Sequence, residues 1–160
     1  MASRSKDPLK TRFRYRGTRT AVETRYDPDM VTQVPIVNYL TLGDTPHLVA
    51  TECIACGAKY FDRRNACAAC FATDFVSGPV ENSGELRSYT IVTFAAPGVP
   101  VPFVAGIVDC GGVSVRANII NTPCDPEHVT LGMRVQLATY SLGLDDDGVE
   151  AIGFGYEPIS

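Results

Sequence analysis

The sequence predicts a mainly β protein in three parts: an N-terminal extension (residues 1–47), a four-cysteine metal ribbon (48–77) and a small five-stranded barrel (78–160). Two observations carry this reading. Four of the six cysteines fall into two Cys-x-x-Cys pairs, and beyond Gly78-Pro79 the chain becomes a series of short β-branched runs punctuated by glycine and proline. Size and composition set the outer limits. A chain of 160 residues with 45% apolar content can bury a core, and 20% charged residues is too few for general disorder, but two large catalytic domains do not fit.

The extension is set apart by charge. Residues 1–31 hold eight basic and four acidic side chains, a local +4, although the whole chain is −4, so the remainder carries −8. An Arg- and Thr-rich start of this kind reads as a solvated tail, a docking arm for an anionic partner, or a transit peptide. Thr11–Tyr26 mixes arginine with Phe13, Tyr15 and Val22 and could form a strand or an arm. Met30–Leu42 is apolar but interrupted by Pro35, so only partial order is expected of it in isolation. No apolar stretch follows Met1 as a secretory signal requires, and the uncharged window Ser88–Val108 is broken by three prolines and two glycines. The expected location is cytoplasmic.

The ribbon rests on Cys53-x-x-Cys56 and Cys67-x-x-Cys70, separated by ten residues. Each turn can aim two thiolates at one ion, and two turns complete a tetrahedral shell. Gly57, directly after the second cysteine, suits the positive φ of such a turn. Sulfur ligation allows zinc or iron, with zinc ahead. A full shell of four protein ligands leaves no open position, so the site is expected to be structural. His47 lies six residues before Cys53 and is read as a surface histidine. With little apolar content of its own, the ribbon must lean on its metal and its neighbours.

Five strands are expected after it: Gly84–Phe94, Phe103–Cys110, Val113–Ile120, Arg134–Tyr140 and Val149–Tyr156. Along the first, strict alternation would place Leu86, Ser88, Thr90 and Val92 on one face and Arg87, Tyr89, Ile91 and Thr93 on the other. Gly111-Gly112 suits a tight hairpin between the second and third. Asp125-Pro126-Glu127 reads as a helix cap with proline at the first helical position, and Gly132 as the stop, which makes a single short helical turn. Three strands, a helical insert and two more strands match a Greek-key barrel of the OB type, with an SH3-like barrel as the alternative. The cluster Asp145-Asp146-Asp147-Gly148 lacks EF-hand spacing and reads as an exposed turn.

The order of features resembles a family of small proteins in which a rubredoxin-like zinc ribbon is joined to an OB-fold and which accompany thiolase-type enzymes. The resemblance spans roughly residues 40–158. Its landmarks are Cys53-Ile-Ala-Cys56-Gly57, Tyr60-Phe61-Asp62-Arg63-Arg64, Cys67-Ala-Ala-Cys70, Ser83-Gly84-Glu85-Leu86, Pro102-Phe103-Val104, Gly132-Met133 and Phe154-Gly-Tyr-Glu-Pro158. Members usually carry a proline in the ribbon's central run and another in the second knuckle, where this chain has Asp62 and Ala68. The resemblance implies a non-catalytic, zinc-binding subunit that binds a thiolase-like partner, in a two-plus-two hetero-oligomer, and helps to form a channel for a coenzyme A thioester. Its settings include archaeal acetoacetyl-CoA synthesis, acylphloroglucinol synthesis, steroid side-chain aldol cleavage and the benzoylsuccinyl-CoA thiolase of anaerobic toluene degradation. A chain with a long N-terminal arm fits the last two, with a lean toward benzoylsuccinyl-CoA thiolase.

The residues themselves do not read as a thiolase. That chemistry needs a nucleophilic thiolate, a paired histidine, a second acid/base and an oxyanion hole. Cys110 ends an apolar strand and reads as inert, which leaves Cys124 and His128 as the one local Cys/His pair. The uncharged, proline-stiffened segment Ala95–Pro102 is the candidate for partner or acyl-CoA contact, through Pro97, Val99, Pro100 and Val101; the competing reading folds it back on its own barrel. Coenzyme A phosphates would call for Arg63, Arg64, Arg87 or Arg116. The rival class is a nucleic-acid binder, since ribbons and OB barrels both serve that role, but the acidic balance beyond residue 31 opposes it.

Overall fold

A computed structural model of the chain describes residues 32–159. The Thr11–Tyr26 segment and the basic arm lie outside the described residues. Ten strands follow in order: β1 (Gln33–Pro35), β2 (Leu40–Thr41), β3 (His47–Cys53), β4 (Lys59–Tyr60), β5 (Phe75–Pro79), β6 (Ser83–Val92), β7 (Phe103–Cys110), β8 (Val113–Ile119), β9 (Arg134–Leu144) and β10 (Glu150–Pro158). Among the described residues there is no helix, and so none long and apolar enough to cross a membrane.

Strands β6 to β10 close into a barrel in the order β6-β7-β8-β10-β9, and β9 returns to pair with β6. All pairs are antiparallel except β8 with β10, where Tyr156 lies opposite Ile119. This is the OB-fold arrangement. Period-two alternation drives it: in β7, Val104, Gly106, Val108 and Cys110 point inward while the residues between them are half-exposed. Leu86, Val104, Val108, Val115, Val135 and Tyr156 are fully buried at the centre. Each such aliphatic side chain contributes about 1.5–3 kcal/mol. Gly111 and Gly112 both take positive φ, 60° and 84°, which a two-residue hairpin of the primed type requires.

Strict alternation fails once. A bulge between Leu86 and Ser88 adds a residue to β6, so Leu86 is followed into the core by Tyr89 and Ile91, while Ser88 and Thr90 turn outward. The expected faces of this strand therefore hold on neither side along its whole length. The insert is a single turn. Asp125 Oδ1 accepts the amides of Glu127 and His128, Val129 N–H reaches the Asp125 carbonyl at 3.0 Å, and Gly132 takes a φ of 82°. Its anchor is Val129, which is completely buried. The acidic turn is likewise spent on itself: Asp145 Oδ1 accepts the amides of Asp147 and Val149.

The segment before the ribbon is more structured than its composition indicates. β1 lies parallel to β10, with Gln33 opposite Glu150, along the edge that β8 leaves after pairing at Gly155 and Tyr156. It supplies partners to backbone groups of Glu150 and Ile152 that the barrel alone would leave open. β2 pairs with the start of β3. Through Leu40, Leu48, Ala50 and Val80 the ribbon sheet shares one continuous core with the barrel. An aromatic chain reinforces the join, with Tyr39 4.7 Å from Phe61 and 6.1 Å from Phe154 between ring centroids.

Candidate metal centre

The ribbon builds its site from two copies of one turn. β3 delivers Cys53, and the chain reverses so that Gly57 N–H bonds the Cys53 carbonyl at 2.8 Å and Cys53 N–H bonds the Ala58 carbonyl at 2.9 Å. The second knuckle repeats both bonds: Phe71 N–H to the Cys67 carbonyl at 2.9 Å, and Cys67 N–H to the Ala72 carbonyl at 2.8 Å. Gly57 and Phe71 sit at matching positions with φ of 74° and 62°. The glycine was expected there; the phenylalanine adopts the same left-handed conformation at a steric penalty.

The four sulfurs converge. Cys53 Sγ is 3.6 Å from Cys70 Sγ, Cys56 Sγ is 3.5 Å from Cys67 Sγ, and all four lie within 4.8 Å of one another. A tetrahedral ion bound at about 2.3 Å holds its sulfurs about 3.8 Å apart, so the set fits a zinc-sized ion. Cys53 and Cys67 are buried, whereas Cys56 and Cys70 face solvent. His47 stands at the far end of β3, about 20 Å from Cys53 by strand rise, with its ring on the Thr45 carbonyl. It is no ligand.

Cys67, though buried, is the most hydrogen-bonded of the four sulfurs. The Tyr60 hydroxyl lies 3.3 Å from its Sγ and the Ala69 amide donates to it at 3.4 Å. The Tyr60 hydrogen bond, outweighing partial burial and assisted by backbone amides, draws the Cys67 thiol down to about 6. Sequence reasoning treated Tyr60 only as a landmark of the ribbon; its role appears once β4 folds back beside the second knuckle.

Two family models match the chain in succession. The ChsH2 rubredoxin-like zinc ribbon domain covers residues 41–76 and the ChsH2 C-terminal OB-fold domain covers residues 78–140, together more than half of the sequence. The chain belongs to the ChsH2 family. Cys53, Cys56, Cys67 and Cys70 all lie in the stretch matched by its zinc ribbon domain and are close enough to hold one ion, and a closed four-thiolate shell suits a structural zinc. Among solved structures, a chain described as an Ltp2-ChsH2(DUF35) aldolase is similar at a TM-score of 0.53 and 23% identity, covering 70% of this chain and 84% of that one. A DUF35-family protein of unknown function from Sulfolobus solfataricus is similar at a TM-score of 0.39 and 15% identity, over 66% of this chain and 73% of that one. The first of these shares the ribbon-and-barrel fold.

The remaining sequence-predicted site residues are dispersed. All residues from Thr93 to Pro102 are exposed, including Pro97, Val99, Pro100 and Val101. Phe94, which the sequence reading left inside a strand, is 86% exposed at the loop's base. The four arginines differ in their commitments. Arg87 is ion-paired to both Glu85 and Asp109, at 2.9 and 3.2 Å, and Arg64 lies over the Tyr60 ring at 4.9 Å. Among the described residues Arg63 and Arg116 have no ion-pair partner. Arg116 rims a groove of about 260 Å³ on the outer barrel surface, beside Ser88, Thr90, Ala105 and Ile107. Cys124 and His128 are not engaged with each other: the Cys124 thiol meets the Pro102 carbonyl at 3.5 Å, and His128 Nδ1 meets Asp125 Oδ1 at 2.8 Å.

Proposed function

We propose that the chain is a zinc-binding accessory subunit, not itself catalytic, of a cytoplasmic thiolase-type acyl-CoA enzyme that makes or breaks a carbon–carbon bond. It stabilises its partner and shapes the partner's coenzyme A and acyl channel. The observation that carries this reading is the exposed loop from Phe94 to Pro102. It holds no charge, presents Phe94, Val99 and Val101 to solvent and is stiffened by Pro97, Pro100 and Pro102. Apolar side chains held out in this way by a pre-ordered loop suit burial against another protein, with little entropy left to lose on docking. Membership of the ChsH2 family supports the same reading, as does the description of a structural neighbour as an Ltp2-ChsH2(DUF35) aldolase.

Within this reading the chain is organised as extension (1–47), ribbon (48–77) and barrel (78–160), assembled with its partner in a two-plus-two hetero-oligomer. Arg63 and Arg116, free of ion pairs among the described residues, are the better candidates for coenzyme A phosphates than Arg64 or Arg87. Two settings fit the partner's reaction: thiolysis of benzoylsuccinyl-CoA and aldol cleavage of a steroid side chain. The neighbour is described as an aldolase, which favours aldol chemistry over thiolysis.

The test is the double variant Val99→Asp, Val101→Asp, co-produced with the partner. Loss of the complex with the isolated subunit still folded is expected; an intact complex with unchanged turnover contradicts the assignment. Arg116→Glu should raise the KM for acyl-CoA while leaving assembly unaltered.

A further inference from the structure

Tyr60 stands between the metal centre and the body of the ribbon. Its ring packs edge-on against Phe75, with centroids 6.4 Å apart, and the Arg64 guanidinium covers its face. Its hydroxyl has two polar neighbours, and their chemistry fixes which way the proton points. The Ala68 amide donates to Tyr60 Oη at 3.2 Å, so that contact uses an oxygen lone pair. The other neighbour is Cys67 Sγ at 3.3 Å, and a metal-bound cysteine is a thiolate with no proton to give. The phenolic proton must therefore go to sulfur. A cation over the ring withdraws charge from the phenol and makes that proton a better donor.

We propose that Tyr60 is a positioning residue of the metal centre: its hydroxyl, oriented by the Ala68 amide, donates to the Cys67 thiolate and holds it in the metal's shell. The four ligands are then unequal. Cys67 is buried and carries hydrogen bonds from Tyr60 and from the Ala69 amide, whereas Cys56 and Cys70 are exposed. A sulfur whose charge is spread into two donors is less open to competing chelators, because its lone pairs are occupied outside the metal bond. The link depends on residue 68 having a backbone N–H, which alanine supplies and proline would not.

The test uses the full chain loaded with Co²⁺ as a spectroscopic probe and with Zn²⁺ for release kinetics. Tyr60→Phe keeps the ring, its stacking on Phe75 and its contact with Arg64, and removes only the hydroxyl. The sulfur-to-cobalt charge-transfer band should move to lower energy, since an uncompensated thiolate gives up its electron more readily. Zinc transfer to a competing chelator should become about 10-fold faster, the low end of what outer-shell changes produce. A packing role alone would lower thermal stability without moving the band. Ala68→Pro supplies an independent arm in case the first variant takes up no metal: it leaves Tyr60 in place, frees its hydroxyl to rotate, and should shift the band in the same direction by a smaller amount. Unchanged spectra and unchanged release in the metal-loaded variants would overturn the proposal.

Discussion

Gly57 and Phe71 occupy the same place in two successive metal knuckles, both in the left-handed region, one residue without a side chain and the other with a phenyl ring that is 81% exposed. Nothing crowds a methyl group at Gly57, whose nearest neighbour would be Glu52 at 3.7 Å, so the effect of adding one is confined to the backbone. Gly57→Ala should therefore lower the stability of the zinc-loaded chain by about 1–2 kcal/mol. Phe71→Gly should change it by less than about 1 kcal/mol, because relief of strain offsets the added freedom of the unfolded chain and little burial is lost. Denaturant titration of both variants checks the pair.

Removal of zinc should unfold the ribbon and loosen the barrel. Four thiolates brought within 4.8 Å repel once the ion is gone, and binding energy on the order of 10 kcal/mol is linked to folding in sites of this kind. Because Leu48 and Ala50 of β3 belong to the same core as Val104 and Val108 of the barrel, the loss should spread beyond the ribbon. Chelation followed by hydrogen exchange should show reduced protection in β3 first and in the adjoining barrel strands after it.

The two cysteines outside the ribbon should react differently with an alkylating agent. Cys110 is buried beside the Tyr156 hydroxyl at 3.2 Å, and burial pushes its thiol above the ordinary range. Cys124 is half-buried at the loop's foot. In the native zinc-loaded chain Cys124 should be modified and Cys110 spared until the barrel unfolds, which mass spectrometry of labelled peptides distinguishes.

Acid should weaken the contact between β10 and its neighbours through Glu157. Hydrogen bonds from Asn121 and Gln136 hold its carboxyl below the usual range. A depressed folded value means a contribution complete above the unfolded carboxylate's pKa of about 4.3 and lost as pH falls through the folded value. Glu157→Gln, which mimics the protonated carboxyl, should flatten the acid side of the stability profile by lowering the neutral plateau slightly while leaving the acid end near wild type. Thermal melts between pH 3 and 7 on the order of one unit apart suffice to see it.

The barrel was legible because each strand carries its own signal. β7 and β8 alternate cleanly and are joined by Gly111-Gly112, and Asp125 with Gly132 bound the insert. That the four cysteines gather in one cluster was legible from spacing alone. What escaped depends on tertiary contacts. β1 is three residues ending in a proline and exists only because β10 has an open edge beside it. The bulge at Arg87 leaves no mark in composition, yet it reverses the faces of β6. Tyr60 Oη and Cys67 Sγ are seven residues apart in sequence, and they meet where β4, paired with β3, lies beside the second knuckle.

The central claim is that this chain works as a subunit. The most direct measurement is isolation of the full chain from its native cells under mild conditions, followed by native mass spectrometry of the intact assembly and identification of its components. The account predicts a stoichiometric complex with a thiolase-fold protein, carrying one zinc for each copy of this chain. Recovery of the chain alone, or bound to nucleic acid, would contradict it.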